Sequence, residues 1–130
     1  MSTVRLLVVD DSTDFLRAAT MLLGLDERVE VAGTVSSAAG ALEFLDAHHV
    51  DLVLLDVNMP DLGGVAAAAA VTARHPEVVV VLCSTMTRDD ALAGAPRAKG
   101  AGIAAAGHLF LEKADLTPAA LLDLWHSRAG

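Results

Sequence analysis

Five polar side chains stand at the ends of apolar runs in this chain: Asp10 and Asp11 after Val4–Val9, Asp56 after Leu52–Leu55, Ser84 after Val78–Cys83, and Lys113 after His108–Glu112. An aspartate after a strand ordinarily starts a turn, and a lone one would carry no chemistry. Three carboxylates, a hydroxyl and an ammonium on four different run ends converge only if a site needs them. Crowded carboxylates repel one another, so either some are protonated or a cation lies among them, and at neutral pH the cation is the easier answer. An all-oxygen donor set with no His or Cys cluster favours a hard ion. A few carboxylates with room for water suit Mg²⁺ better than a Ca²⁺ cage. With its charge screened, Asp56 can attack an electrophile. A carboxylate nucleophile, Mg²⁺, a lysine and a hydroxyl match phosphoryl transfer, where the protein mainly positions groups and neutralises charge; the product would be an aspartyl phosphate.

The elements that would position these residues follow from the hydrophobic pattern. Leu52 to Leu55 are four apolar residues with no helical spacing, the sign of a strand buried on both faces, and Val78 to Cys83 reads the same way. Val4–Val9 is a first strand. Val29, Val31, Gly33 and Val35 alternate with Glu30, Ala32 and Thr34, which predicts a second strand with one more solvated side, near a sheet edge. His108–Glu112 is a short fifth strand. Between the strands, Ser12 and Asp14 are helix-start residues for Phe15, Leu16, Ala19, Leu22 and Leu23, and a second helix is expected from about Ser36 with Ala38, Ala41, Leu42 and Leu45 inward. Gly63-Gly64 precedes an alanine-rich helix over Val65–Arg74 that Pro76 ends, and Thr117-Pro118 starts a last helix carrying Leu121, Leu122, Leu124 and Trp125. From Thr87 to Gly107, Pro96 and glycines 94, 100 and 102 predict a short, broken or displaced fourth helix. Alternating strands and helices with short connections give an α/β doubly wound parallel sheet, whose ligand site lies beyond the carboxyl ends of the strands.

Composition narrows the function classes. At 130 residues the chain is expected to form one domain over 1–130, and it has no apolar run long enough to span a bilayer. The N-terminus enters a strand pattern directly without a signal-peptide arrangement, so a cytoplasmic location is expected. A net charge of -8 with no basic stripe argues against direct nucleic-acid binding. The single cysteine, Cys83, excludes an internal disulfide and reads as a small core residue. The five histidines lack metal-ligand spacing.

Asp10-Asp11 after the first strand, Asp56 followed by Met59-Pro60 and Gly64, Ser84 after the fourth strand, and Phe110-Leu111-Glu112-Lys113 at the fifth resemble the receiver domain of bacterial response regulators over nearly the whole chain. The run from Lys113 through Ala-Asp-Leu to Thr117-Pro118 is similar to receivers of the NarL/LuxR type of regulator. The resemblance implies a flavodoxin-like five-stranded sheet of order 2-1-3-4-5. It implies that Asp56 accepts a phosphoryl group from a histidine of a sensor kinase or phosphotransfer protein. Asp11, Asp56 and the main-chain carbonyl of Asn58 would ligate Mg²⁺, with Asp10 acting mostly through water. Lys113 would pair with one phosphoryl oxygen and Ser84 would move to another, vacating space into which Phe110 turns. The change would then be read on the face made by the fourth helix, the fifth strand and the last helix, by a downstream effector or in a homodimer.

One departure from the family pattern stands out. The interval from Ser84 to Lys113 is longer than usual by roughly seven residues, and the surplus falls where the fourth helix is expected. Thr85 also stands where a smaller residue is commoner, which would tighten the pocket. The alternative function is a receiver-shaped interaction module that signals without phosphorylation. Enzymes on similar sheets fit worse: a haloacid-dehalogenase-type phosphatase needs Asp-x-Asp where this chain has Asp10-Asp11-Ser12-Thr13, and a flavodoxin needs a phosphate loop that is missing after the first strand. No DNA-binding segment follows the last helix, so the chain is expected either to act through protein partners or to be the N-terminal part of a longer regulator.

Overall fold

The computed structural model describes residues 3–57, 63–84 and 109–127. Five strands, β1 (Val4–Val9), β2 (Val29–Val35), β3 (Leu52–Asp56), β4 (Val79–Ser84) and β5 (Leu109–Glu112), form one parallel sheet of order β2-β1-β3-β4-β5. Order and direction agree with the doubly wound sheet expected from the sequence. The apolar runs occupy the centre, since β1, β3 and β4 have neighbours on both sides. The alternating run of β2 lies at an edge, where one side remains partly solvated.

Two cores lie on opposite faces because successive strand residues point to opposite sides. One face buries Leu7, Val9, Val53, Leu55, Val80 and Leu82 under α2 (Ala38–Ala47) and α3 (Gly64–Arg74). The other buries Leu6, Val8, Leu52, Leu54, Val81 and Cys83 under α1 (Thr13–Leu23) and the last helix, α4 (Pro118–Ser127). In α3 the inward residues include Gly64, Ala67, Ala68 and Val71, small enough for the helix to lie close to the sheet. Near the β2 edge the β1–β2 register shifts between Leu6 and Leu7, and the Phe44 ring occupies the space a Cβ on Gly33 would fill.

The helix starts are built by side chains. Ser12 Oγ accepts the Phe15 N–H at 3.2 Å, Ser37 Oγ that of Gly40 at 3.0 Å, and Thr117 Oγ1 that of Ala120 at 3.0 Å. The second helix therefore begins at Ala38, two residues later than expected, with Ser37 in the extended capping conformation. β4 starts and ends one residue later than its apolar pattern, at Val79 and Ser84 rather than Val78 and Cys83. The expected fourth helix and Thr85 lie outside the described residues. No helix among the described residues is long and apolar enough to cross a membrane.

Candidate functional site

Register brings the strand ends to one level. One step past the Val9–Leu55 pair stand Asp10 and Asp56, Asp56 itself pairs with Cys83, and Ser84 pairs with Glu112. The backbone is pinned on both sides: Asp10 N–H donates to the Val35 carbonyl at 3.1 Å and Val57 N–H to the Cys83 carbonyl at 3.0 Å. Behind Asp56, Gly64 N–H donates to the Val57 carbonyl at 2.7 Å, tying the start of α3 to the end of β3, and Gly63, the cap of α3, has φ +83.

Asp10, Asp11 and Asp56 each offer one carboxylate oxygen within 4.8 Å of the others. Asp10 is 1% exposed, Asp56 7% and Ser84 0%, whereas Asp11 is open to solvent. Lys113, the first residue of a short 3₁₀ turn (Lys113–Asp115), sends its ammonium back over the strand ends, 2.6 Å from Asp10 Oδ2 and 3.9 Å from Asp56 Oδ1. The same ammonium lies 4.1 Å from the centroid of the Phe15 ring. Asp10 Oδ1 accepts the Ser12 N–H at 2.8 Å.

A divalent cation suits this donor set. Asp10 Oδ2 is buried and, although Lys113 approaches it, makes no aligned hydrogen bond. A buried carboxylate oxygen left in that condition, with two further carboxylates beside it, is a place for a hard cation. One lysine against three carboxylates also leaves the cluster net negative, so a cation would relieve repulsion that the protein leaves standing.

All the strand-end residues anticipated from sequence, Asp10, Asp11, Asp56, Ser84 and Lys113, are therefore at the carboxyl edge of the sheet. Asn58 lies outside the described residues. Strand alternation divides the rest. Asp10 and Asp56 continue the face covered by α1 and α4, toward which the Lys113 ammonium also turns, while Ser84 continues the opposite face, where Leu82 pairs with Phe110 and Phe110 packs half-buried against the core under α2 and α3. Ser84 and Phe110 are thus diagonal neighbours on one side of the sheet. Cys83, adjacent to Asp56, is no nucleophile at neutral pH: burial pushes its thiol up to about 12. Sequence reasoning gave Phe15 only a packing role. The available signal was its place in the first turn of α1, directly after the Asp10-Asp11 pair and its Ser12 cap.

Residues 6–109 match the response regulator receiver domain family. A protein-glutamate methylesterase/protein-glutamine glutaminase of Nocardioides sp. (strain ATCC BAA-499 / JS614) is 35% identical over 93 residues, which is 72% of this chain and 25% of that protein. One from Geobacillus kaustophilus (strain HTA426) is 38% identical over 87 residues, 67% of this chain and 25% of that protein. The chain thus spans about a quarter of the length of these curated relatives. Among solved structures, the signal receiver domain of the response regulator NarL from Mycobacterium tuberculosis superposes with a TM-score of 0.78 at 31% identity, covering 95% of this chain and 97% of that one. The isolated receiver domain of RcsB from Salmonella enterica serovar Typhimurium, determined with the phosphomimetic BeF3-, has a TM-score of 0.79 at 15% identity over 96% of this chain and 90% of that one, a likeness of fold.

Proposed function

The chain belongs to the response regulator receiver family of two-component signalling, and from that membership we propose that it is a phosphoacceptor switch, with residues 1–130 acting as one domain in the cytoplasm. Asp56 takes the phosphoryl group from a phosphohistidine of a sensor kinase or phosphotransfer protein. The new bond joins an Asp56 carboxylate oxygen to phosphorus while the phosphorus–nitrogen bond of the donor breaks, its electron pair returning to the imidazole. Mg²⁺ would be held by Asp11, Asp56 and the main-chain carbonyl of Asn58, with Asp10 acting through water, and would neutralise charge on the transferring oxygens.

The chain's own groups do the remaining work. The buried strand end holds Asp56 at fixed height between β1 and β4, which limits the ways in which the acceptor oxygen can be presented. The Lys113 ammonium, 3.9 Å from Asp56 Oδ1, is near enough to meet an oxygen of the incoming group. Ser84 shares its face with Phe110, so a hydroxyl drawn toward the phosphoryl group changes the packing beside that ring. Lacking a hydroxyl, Phe110 signals by packing alone. The altered face, formed around β5 and α4, would be read by a downstream effector or a second copy.

The observation that carries this reading is the convergence of Asp10, Asp11, Asp56 and Lys113 from three strand ends into one acidic cluster with one ammonium. The proposed role is signalling rather than hydrolysis; the activities in the relatives' names belong to proteins about four times as long. Incubation with acetyl phosphate and Mg²⁺, followed by intact-mass measurement, tests it. One phosphoryl group should be added to the native chain and none to Asp56→Asn. A native chain that takes none would instead be a receiver-shaped interaction module.

A further inference from the structure

Four residues form a closed circuit at the edge of the site. Asp10 Oδ1 accepts the Ser12 N–H at 2.8 Å, and Ser12 Oγ accepts the Phe15 N–H at 3.2 Å. The Phe15 ring lies under the Lys113 ammonium at 4.1 Å, and that ammonium returns to Asp10 Oδ2 at 2.6 Å. The circuit ties the last strand end to the first through the first turn of α1. The acid pair, the cap and the ring all come from six consecutive residues, Asp10 to Phe15.

From this circuit we infer that Phe15 is a positioning residue: the face of its ring holds the Lys113 ammonium in the place from which it meets a phosphoryl oxygen on Asp56. This rests on the phosphoacceptor reading and adds to it a residue that the acidic cluster does not include. The physical reason lies in what else could hold the ammonium. Asp10 belongs to the cation site, so its oxygens have a second claimant. The ring carries no net charge, and its quadrupole attracts an ammonium without competing for the cation or repelling the phosphoryl group. Lys113 has a long flexible side chain, 15% exposed, that would otherwise sample solvent. A ring that keeps it over the site before the phosphoryl group arrives removes part of the ordering cost of binding.

Phe15 also packs partly buried against the core under α1 and α4, so the test has to separate ring electrostatics from ring volume. Phe15 in the full chain is replaced by 4-fluoro-, 3,5-difluoro- and 3,4,5-trifluorophenylalanine, which weaken the quadrupole while nearly keeping the shape. Phe15→Leu and Phe15→Tyr are made alongside. The first readout is the shift of the Lys113 ε-methylene protons in the phosphoryl-free protein. They should be moved upfield by the ring in the native and fluorinated chains and return to the ordinary lysine position in Phe15→Leu. The second is the affinity for beryllofluoride with Mg²⁺, followed through the amide signals around Asp56. It should fall stepwise along the series, by about fivefold at the trifluoro ring, with the thermal midpoint unchanged and native affinity kept in Phe15→Tyr. An ordinary lysine shift in the native protein, or equal affinity across the fluorinated series, would overturn the positioning role while leaving the phosphoacceptor reading intact. A native chain that does not bind the mimic at all would remove that reading and the role of the ring with it.

Discussion

Gly64 carries a constraint that reaches Asp56. A Cβ at this position would lie 2.4 Å from Val57 Cα, 2.5 Å from the Val57 oxygen and 2.6 Å from the Asp56 oxygen, all of them backbone atoms with no side-chain freedom to yield. Gly64→Ala should therefore cost about 1–3 kcal/mol in denaturant unfolding and weaken beryllofluoride binding, because relief requires the end of β3 to move. Gly63→Ala meets no neighbour within 4 Å, and its strain comes from φ +83 alone; its smaller stability loss should leave the mimic's affinity near native. Cys83 makes a second residue-scale prediction. Its thiol is raised from 9.0 to about 12 by burial. The unfolded chain therefore loses this proton above pH 9 while the folded chain keeps it, and the folded state is disfavoured as pH rises. Native protein should lose about 1.4 kcal/mol more per pH unit between pH 9 and 12 than Cys83→Ala does. Parallel pH profiles of unfolding free energy for the two chains would contradict this.

At the scale of elements, the caps of α1 and α2 look alike but serve different ends. Ser12→Ala and Ser37→Ala should each cost about 1 kcal/mol of stability. Only Ser12→Ala should also change the Lys113 ε-methylene shift, because its hydroxyl fixes the turn that carries Phe15. The strands were legible because β1, β3 and β4 are apolar runs, interrupted in their interiors only by Arg5 in β1, and β2 alternates, and burial on both faces admits few other patterns. Their ends were less so. Ser36 and Ser37 are equally good caps by type, and only the structure shows that Ser37 is the one that accepts the Gly40 N–H. Ser84 reads as a residue beyond its strand because hydroxyls are ordinarily exposed, yet it is fully buried as the last member of β4. Asp10, Asp56 and Lys113 were legible as a site because each closes a strand. The part played by Phe15 was not, because its partner arrives from the other end of the chain and its spacing also serves a core.

For the whole molecule, the acidic cluster adds local repulsion to a chain of net charge -8. A cation that binds the folded chain alone should stabilise it, by about 2.7 kcal/mol at a hundred times its dissociation constant. Mg²⁺ should thus raise the melting temperature of the native protein, with little rise in Asp11→Asn and none of comparable size from matched Na⁺ charge. The site is also a matter of assembly. Its carboxylates come from the first and third strands, whereas the only ammonium seen against Asp10 in the described residues comes from the end of the last. A chain emerging from the ribosome would display Asp10 and Asp56 long before Lys113 could reach them. Competence to take a phosphoryl group would then be a property of the finished sheet, withheld from every incomplete chain and so protected against signals sent by half-made copies.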